Sequence, residues 1–283
     1  MQTVRITECP RDAMQGIKPF IPTEEKARYI NALLQVGFDT IDFGSFVSPK
    51  AIPQMRDTAE VLARLDLSAS SSNLLAIVGN LRGAEAACSH AEIDFVGFPF
   101  SISPTFLEKN INSNLEDSFE RVKQLLELCQ QNDKQLVTYV SMAFGNPYGD
   151  EWSAETLLHW VDQLHWAGVR RITLADTTSH GDARSIGSVC QTVIPAYAEV
   201  TFGLHLHTTS ADWREKIDAA YQNGCRYFEG VLNGMGGCPM AGPELVGNIR
   251  TSDLLAYFDE QKADTGIDMS QFERAKRIAD EII

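Results

Sequence analysis

The chain has no CxxC pair: its six cysteines, Cys9, Cys88, Cys129, Cys190, Cys225 and Cys238, are scattered without paired spacing. That speaks against a disulfide framework and against a thiolate-rich structural zinc site. No run approaches the roughly 18 apolar residues of a membrane span, and the opening MQTVRITECPRD enters a strand pattern at once, leaving no room for a signal peptide. A cytoplasmic location is the expectation. Positive charge is also short: 24 Lys and Arg stand against 38 Asp and Glu, a net charge of -14. A field of that sign opposes non-specific association with nucleic acid or anionic membrane, so an anionic ligand needs a local basic patch or a metal. There is no Pro/Gly/Ser-rich linker, no low-complexity tract, and no GxGxxG after the first strand.

What is present is alternation. With 44% hydrophobic residues over 283 positions, the chain can fill a sizeable core. Apolar, β-rich runs recur at 3–9, 40–44, 74–79, 93–98, 136–143, 171–176, 201–207 and 226–232, about eight candidate strands. Between most of them lie amphipathic helical patterns, among them TEEKARYINALLQVG, PQMRDTAEVLARL, SNLEDSFERVKQLLELCQQ, SAETLLHWVDQLHWAG and SADWREKIDAAYQNG. Such repetition matches a (β/α)8 TIM barrel better than a doubly wound sheet. The third unit, with the short NLRGAEAACSHA, is the weakest, and periodicity alone leaves an open sheet in play. Residues 1–265 are expected to form one catalytic barrel, and residues 266–283 a C-terminal helix packed on it or at a subunit interface.

In such a barrel the chemistry sits at the C-terminal ends of the strands. Arg11 and Asp12 follow the first strand, Asp42 and Ser45 close the second, and Asp176 closes the sixth. His205 and His207 close the seventh, and Cys238 and Asn248 follow the eighth. In GLHLHTTSADW, His205 and His207 are two apart and therefore leave the same face of a strand, a spacing suited to one metal ion. Two imidazoles, the Asp12 carboxylate and an Asn248 amide oxygen form a hard donor set that favours Mg²⁺ or Mn²⁺, with Zn²⁺ or Co²⁺ as alternatives. Blander roles remain open: Asp176 as a cap, Asp42 as a buried turn carboxylate, Arg11 with Asp12 as a surface ion pair, Cys238 as a core thiol. The glycines and proline of GMGGCPMAG point Cys238 toward an exposed loop instead.

The segments RITECPRDAMQ, TIDFGSFVSPKAIPQM, YVSMAFGNPY, LADTT, HLH, NGMGGCPMAG and GNIRTSDL resemble the ordered motifs of the 3-hydroxy-3-methylglutaryl-CoA lyase group, within the metal-dependent aldolase and Claisen-type barrel superfamily. The resemblance implies that Asp12, His205, His207 and Asn248 are metal ligands. It further implies that Arg11 binds the thioester carbonyl and its enolate, and that Cys238 is a catalytic thiol on a closing loop. Asp42 and Asp176 would occupy the acidic catalytic positions, and Ser45 and Thr173 would line the substrate. Departures are visible: Asp42 stands where the lyases have Glu, Thr208 where they have Asp, SHGDAR (with His180 and Asp182) replaces a Gly-rich turn, and MAGPELVG adds Glu244.

The implied reaction is cleavage of a 3-hydroxyacyl-CoA to a keto acid such as acetoacetate plus acetyl-CoA. The base that takes the hydroxyl proton is left among His205, Asp42 and Asp176. Lys18, Lys50 and Lys109 fall in proposed rim loops, where they would meet the anionic carrier or simply be solvated. A homodimer is the expected assembly. Three other readings stay open: a Claisen-type synthase, a CoA-independent hydroxy-acid aldolase, and a non-catalytic barrel.

Overall fold

The structure, a computed structural model, describes residues 2–237 and 246–283. Its eight apolar runs pair in parallel and close on themselves: β1 (Arg5–Glu8), β2 (Thr40–Ser45), β3 (Asn73–Ile77), β4 (Phe95–Ser101), β5 (Gln135–Ser141), β6 (Arg171–Asp176), β7 (Thr201–Leu206) and β8 (Tyr227–Gly230), with β8 pairing back to β1. Parallel neighbours need crossover connections, and helices supply them. In chain order these are α1 (Pro10–Gln15), α2 (Thr23–Leu33), α3 (Thr58–Leu62), α4 (Leu81–Cys88), α5 (Pro104–Ile111), α6 (Leu115–Gln131), α7 (Ala154–Ala167), α8 (Ala183–Ala196), α9 (Trp213–Gln222), α10 (Thr251–Glu260) and α11 (Met269–Ile282). The expected TIM barrel is therefore the fold, and the open sheet is not.

Helix starts follow local chemistry. Asn80, Ser103, Asn114, Ser153 and Asp182 each accept a backbone N–H with the side chain, satisfying donors that the first turn leaves free. Two helices escape the periodicity reading because they are short: α1, opened by Pro10, carries Arg11 and Asp12, and α5, opened by Pro104, carries Lys109. The 53–62 pattern divides into a 3-10 turn at Pro53–Met55 and the brief α3. The Thr58 hydroxyl is fastened there to the carbonyls of Ser45 and Met55. The α11 helix is capped by Asp268, whose N–H donates to Val36 O at 2.8 Å, and it buries Phe272, Ala275 and Ala279 in the core. Burying that phenylalanine contributes roughly 2 kcal/mol. Among the described residues no helix is long and apolar enough to cross a membrane.

Side chains alternate along each strand, and the inward set decides what the barrel holds. Among the described residues, cavities lie at two levels inside. A lower one of about 30 Å³ is lined by Thr7, Thr40, Thr173, Tyr227 and Glu229 among others. An upper one of about 470 Å³ opens at the C-terminal rim, above Ile77 and Tyr139. Gly97 keeps the middle layer compact: a Cβ there would lie 2.5 Å from Ile77 Cδ1 and 3.1 Å from Tyr139 Cε2. Asp42 and Ser45 are three apart, which should put them on opposite faces. The register shift between Asp42 and Gly44 turns the strand and brings Ser45 to the cavity. Thr173 and Asp176 are also three apart, and β6 keeps an unbroken register, so they stay on opposite faces.

Candidate active site

The end of β7 and the start of the chain meet at one corner of the upper cavity. Asp12, from α1, is buried with 5% exposure, and His207 with 2%. Asn248 is brought across by an antiparallel bridge to His207 and by Thr208 N–H donating to Gly247 O at 3.1 Å. Its amide Nδ2 donates to Asp12 Oδ2 at 2.5 Å, and the His205 and His207 ring centroids are 5.2 Å apart. The structure thus brings together the four residues Asp12, His205, His207 and Asn248.

Each imidazole is gripped at Nδ1. The Val246 carbonyl lies 2.8 Å from His207 Nδ1, and because a carbonyl only accepts, His207 carries its proton there and keeps the Nε2 lone pair. His205 Nδ1 lies 2.9 Å from Glu229 Oε2, the arrangement by which a carboxylate orients a metal-binding histidine. Burial and the neighbouring His205 push His207 down to about 4, which keeps it neutral with its Nε2 lone pair free of a proton. Burial also acts to lower His205, but Glu229 and Asp12 together outweigh it and the imidazole ends above its ordinary value. Asp12 is pushed up by burial and held below the usual carboxylate range by Arg11 and both histidines. Anchored neutral imidazole, a carboxylate and an amide suit a hard divalent cation. Among the described residues, the group whose donor atoms all lie within 4.8 Å of one another is Cys9, His205 and Glu229, deeper in the barrel. Burial and the Glu229 and Asp42 carboxylates hold the Cys9 thiol protonated, so that group fits such a cation less well.

Arg11 lies beside this corner with its guanidinium fixed on three sides. Nε reaches Asp42 at 3.2 and 3.1 Å, Nη2 donates to Asp42 Oδ2 at 2.5 Å, and Nη1 donates to Asp12 Oδ1 and Gln15 Oε1, both at 3.1 Å. This fork-on-carboxylate geometry gives Arg11 one orientation. Asp42 is fully buried beneath it, and burial raises the carboxyl to about 6 although Arg11 opposes the rise. Asp42 does not line the cavity; Arg11 does.

From that corner the cavity runs to a wall built by α5 and the segment after β2, with Val47, Ile52, Phe106 and Ile111 as its apolar side. Lys109 is on this wall, its ammonium 4.2 Å from the Tyr148 ring centroid. Lys18 and Lys50 are exposed and do not line the cavity. Thr173 lies lower, its hydroxyl donating to Glu229 Oε1 at 3.2 Å in the inner cavity and away from the rim. Asp176 faces the helices, where Lys216 lies 3.3 Å from it. Asp182 caps α8 in a capping box, and the His180 ring stays with Thr178 at 2.7 Å. Cys238 and Glu244 lie outside the described residues. Gly237, directly before Cys238, donates its N–H to Asp12 Oδ2 at 3.3 Å.

Sequence reasoning missed Glu229, Gln15, Tyr139 and Lys216. For Glu229 the signal was an acid inside the apolar run RYFEGVL, at the parity that faces inward; for Lys216, a cation on the apolar stripe of an amphipathic helix.

The whole span from residue 4 to residue 279 matches the HMGL-like family model. The 3-hydroxy-3-isohexenylglutaryl-CoA/hydroxy-methylglutaryl-CoA lyase of Pseudomonas aeruginosa is 31% identical over 267 residues, covering 94% of this chain and 88% of that protein. The (R)-citramalyl-CoA lyase of Chloroflexus aurantiacus is 30% identical over 280 residues, covering 95% and 88%. Among solved structures, an HMG-CoA lyase from Acinetobacter baumannii in complex with coenzyme A and 3-methylmalate superposes with a TM-score of 0.92 at 31% identity, covering 99% of this chain and 91% of that one. A closed barrel with an anchored histidine pair, a carboxylate and a fixed arginine at one rim corner is thus joined to kinship over almost its full length: the protein is a carbon-carbon lyase, and the chain belongs to the HMGL-like family.

Proposed function

We propose that the protein cleaves a 3-hydroxyacyl-CoA thioester between C2 and C3, with Mg²⁺ or Mn²⁺ at Asp12, His205, His207 and Asn248. The observation that carries this reading is the meeting of a carboxylate, an amide and two imidazoles beside a guanidinium, at one end of a cavity of about 470 Å³. When bound, the cation lowers the pKa of the substrate's 3-hydroxyl. His205 is the more basic imidazole at this corner, and the hydroxyl proton leaves toward it. The resulting alkoxide collapses to a ketone, the C2–C3 bond breaks, and its electron pair passes into the thioester as an enolate. Arg11, held by Asp42 in one orientation, stabilises that oxygen without reorganising. Cys238 protonates C2, a role supported by its position next to Gly237, whose N–H is bonded to Asp12. The products are a keto acid and acetyl-CoA.

The carrier's negative charge meets Lys109 at the cavity wall, and the apolar side contributed by Phe106 and Ile111 leaves room for C3 substituents larger than methyl. The neutral Thr208 beside the metal histidines points the same way, because the corner carries less negative charge than an aspartate there would give. The test is to incubate the Mg²⁺- or Mn²⁺-loaded protein with 3-hydroxy-3-methylglutaryl-CoA, longer and less branched 3-hydroxyacyl-CoAs, citramalyl-CoA and a free hydroxy-dicarboxylate, following products by mass spectrometry. Acetyl-CoA or its homologue from at least one thioester is expected. Reaction of the free acid alone would replace the CoA reading with that of an aldolase.

A further inference from the structure

We infer that Asp176 is a positioning residue, paired with Lys216 to hold the His207 end of β7, and that it neither gives nor takes the reacting proton. This rests on the lyase reading for its site and departs from the acidic catalytic role that kinship alone would hand to Asp176.

Along β6 the inward set is Thr173, Ala175 and, one step past the strand, Thr177; Ala175 and Thr177 line the upper cavity. Asp176 has the other parity and is 0% exposed behind them. Its carboxylate is fully engaged there. Oδ1 accepts the N–H of His180 at 2.8 Å and of Gly181 at 3.2 Å, and Oδ2 accepts Gly181 N–H at 3.1 Å and the Lys216 ammonium at 3.3 Å. Lys216, from α9, is itself 1% exposed. Its three protons meet three acceptors: Asp176, Ser179 Oγ at 2.8 Å and Asp212 Oδ2 at 2.9 Å. No donor capacity is left over.

The pair is coupled to the metal corner through the backbone. The Asp176 carbonyl accepts the His207 N–H at 3.2 Å and the Ser179 N–H at 3.3 Å, and Ser179 sits at φ +57, a left-handed conformation that costs a serine energy unless its surroundings hold it. Lys216 supplies that hold through Ser179 Oγ. One buried ammonium thus fixes the turn after β6 and the rung from β6 to His207. Removing Lys216 leaves the buried Asp176 carboxylate with backbone N–H donors alone, removing Asp176 leaves Lys216 with Asp212 as its one ionic partner, and in both cases the strain falls on the histidine's backbone.

The experiment compares wild type, Asp176→Asn, Lys216→Met, the double variant and Ser179→Ala. The readouts are Mn²⁺ affinity of the metal-free protein by calorimetry, melting temperature, and kcat and KM against pH. Positioning predicts that each charge variant weakens Mn²⁺ binding by about tenfold, as loss of a partner behind a ligand does. It also predicts that the double variant binds Mn²⁺ better than the worse single one, and that the pH profile of kcat keeps both limbs. Ser179→Ala, which strands no charge, should weaken Mn²⁺ binding by about two- to fivefold with the fold intact. An Asp176→Asn protein with wild-type Mn²⁺ affinity and a missing limb in its pH profile would overturn the proposal, and so would additive losses in the double variant. If the charge variants fail to fold, unchanged Mn²⁺ affinity in Ser179→Ala overturns it alone. The calorimetry needs no substrate, so failure of the wild type to cleave any thioester would count against the lyase reading and leave the pairing test standing.

Discussion

Glu8 offers a test that needs no substrate. It lies on the outer face of β1, 0% exposed, between Leu232 N–H at 2.7 Å and the Thr251 hydroxyl at 2.5 Å. These contacts tie the first strand to the segment that enters the Gly-rich stretch before Cys238. Burial raises the carboxyl from 4.5 to about 8, against the opposing pull of Thr251 and Leu232. The folded protein therefore keeps this proton at neutral pH while the unfolded chain releases it. Glu8's contribution to stability is complete below 4.5, drains as the pH climbs toward 8, and levels off above that. A rise of that size corresponds to ~5 kcal/mol, an upper figure because water reaching the site would reduce it. Glu8→Gln fills the same volume, accepts from Leu232 N–H through its amide oxygen, and has no proton to lose. Urea unfolding of both proteins at steps between pH 4.5 and 8.5 should show near-equal stability at the acid end. At the alkaline end the Gln variant should be ahead by about 3–5 kcal/mol. Other raised carboxyls, such as Asp42 and Asp176, are common to both proteins and drop out of the difference. A difference that is flat with pH, or a Gln variant that is weaker at pH 8, would mean Glu8 is ionised in the folded state and the reasoning from burial is wrong.

His207→Ala should abolish tight Mn²⁺ binding, read by calorimetry on metal-free protein, while the barrel still melts cooperatively; unchanged affinity would remove the proposed metal corner. Gly236→Ala should weaken Mn²⁺ binding by at least tenfold. Gly236 has φ +99, and a Cβ there would lie 2.7 Å from Asp12 O, 2.8 Å from Asp12 Oδ2 and 2.9 Å from Asn248 Nδ2. Cys238→Ser should lower kcat by about a hundredfold or more with its melting temperature unchanged; lost stability with retained specific activity would make the thiol structural.

Parity explains which residues were legible in the sequence and which were not. His205 and His207 were legible because residues two apart on a strand share a face, and no tertiary contact can undo that. Ser45 reaches the cavity only through the register shift between Asp42 and Gly44, and a bulge leaves little mark in six residues of TIDFGS. Thr173 and Asp176 have the same odd separation with no bulge to rescue it, so counting along RITLAD is by itself enough to exclude a common face. Arg11 and Asp12 follow the first strand as expected, but the helix that carries them was not legible, because six residues opened by Pro10 are too few to show a period. Glu229 meets His205 from the adjacent strand, a pairing set by the His205–Glu229 register and absent from any local pattern.

Charge at the rim corner then orders the proposed reaction. Among the described residues that line the cavity, the full charges are Arg11, Asp12 and Lys109, and Arg11 is already shared between Asp12 and the buried Asp42. His207, pushed to about 4, adds no positive charge at neutral pH, and the more basic His205 is already paired with Glu229 at 2.9 Å. An acyl-CoA with a distal carboxylate would therefore meet a corner with no spare cation, on a protein whose net charge is -14. Lys109 stands on the α5 wall, after β4 and over the Tyr148 ring, whereas the corner is built after β1 and β7. A divalent ion reverses the sign of the corner before the anion arrives, so on this reading metal adds first and the thioester second. Substrate binding measured by calorimetry should then vanish in chelator-treated protein and return with Mn²⁺, whereas free coenzyme A, which reaches Lys109 without using the corner, should lose far less affinity. Equal loss for both ligands would place the metal's effect on the fold of the cavity and not on its charge.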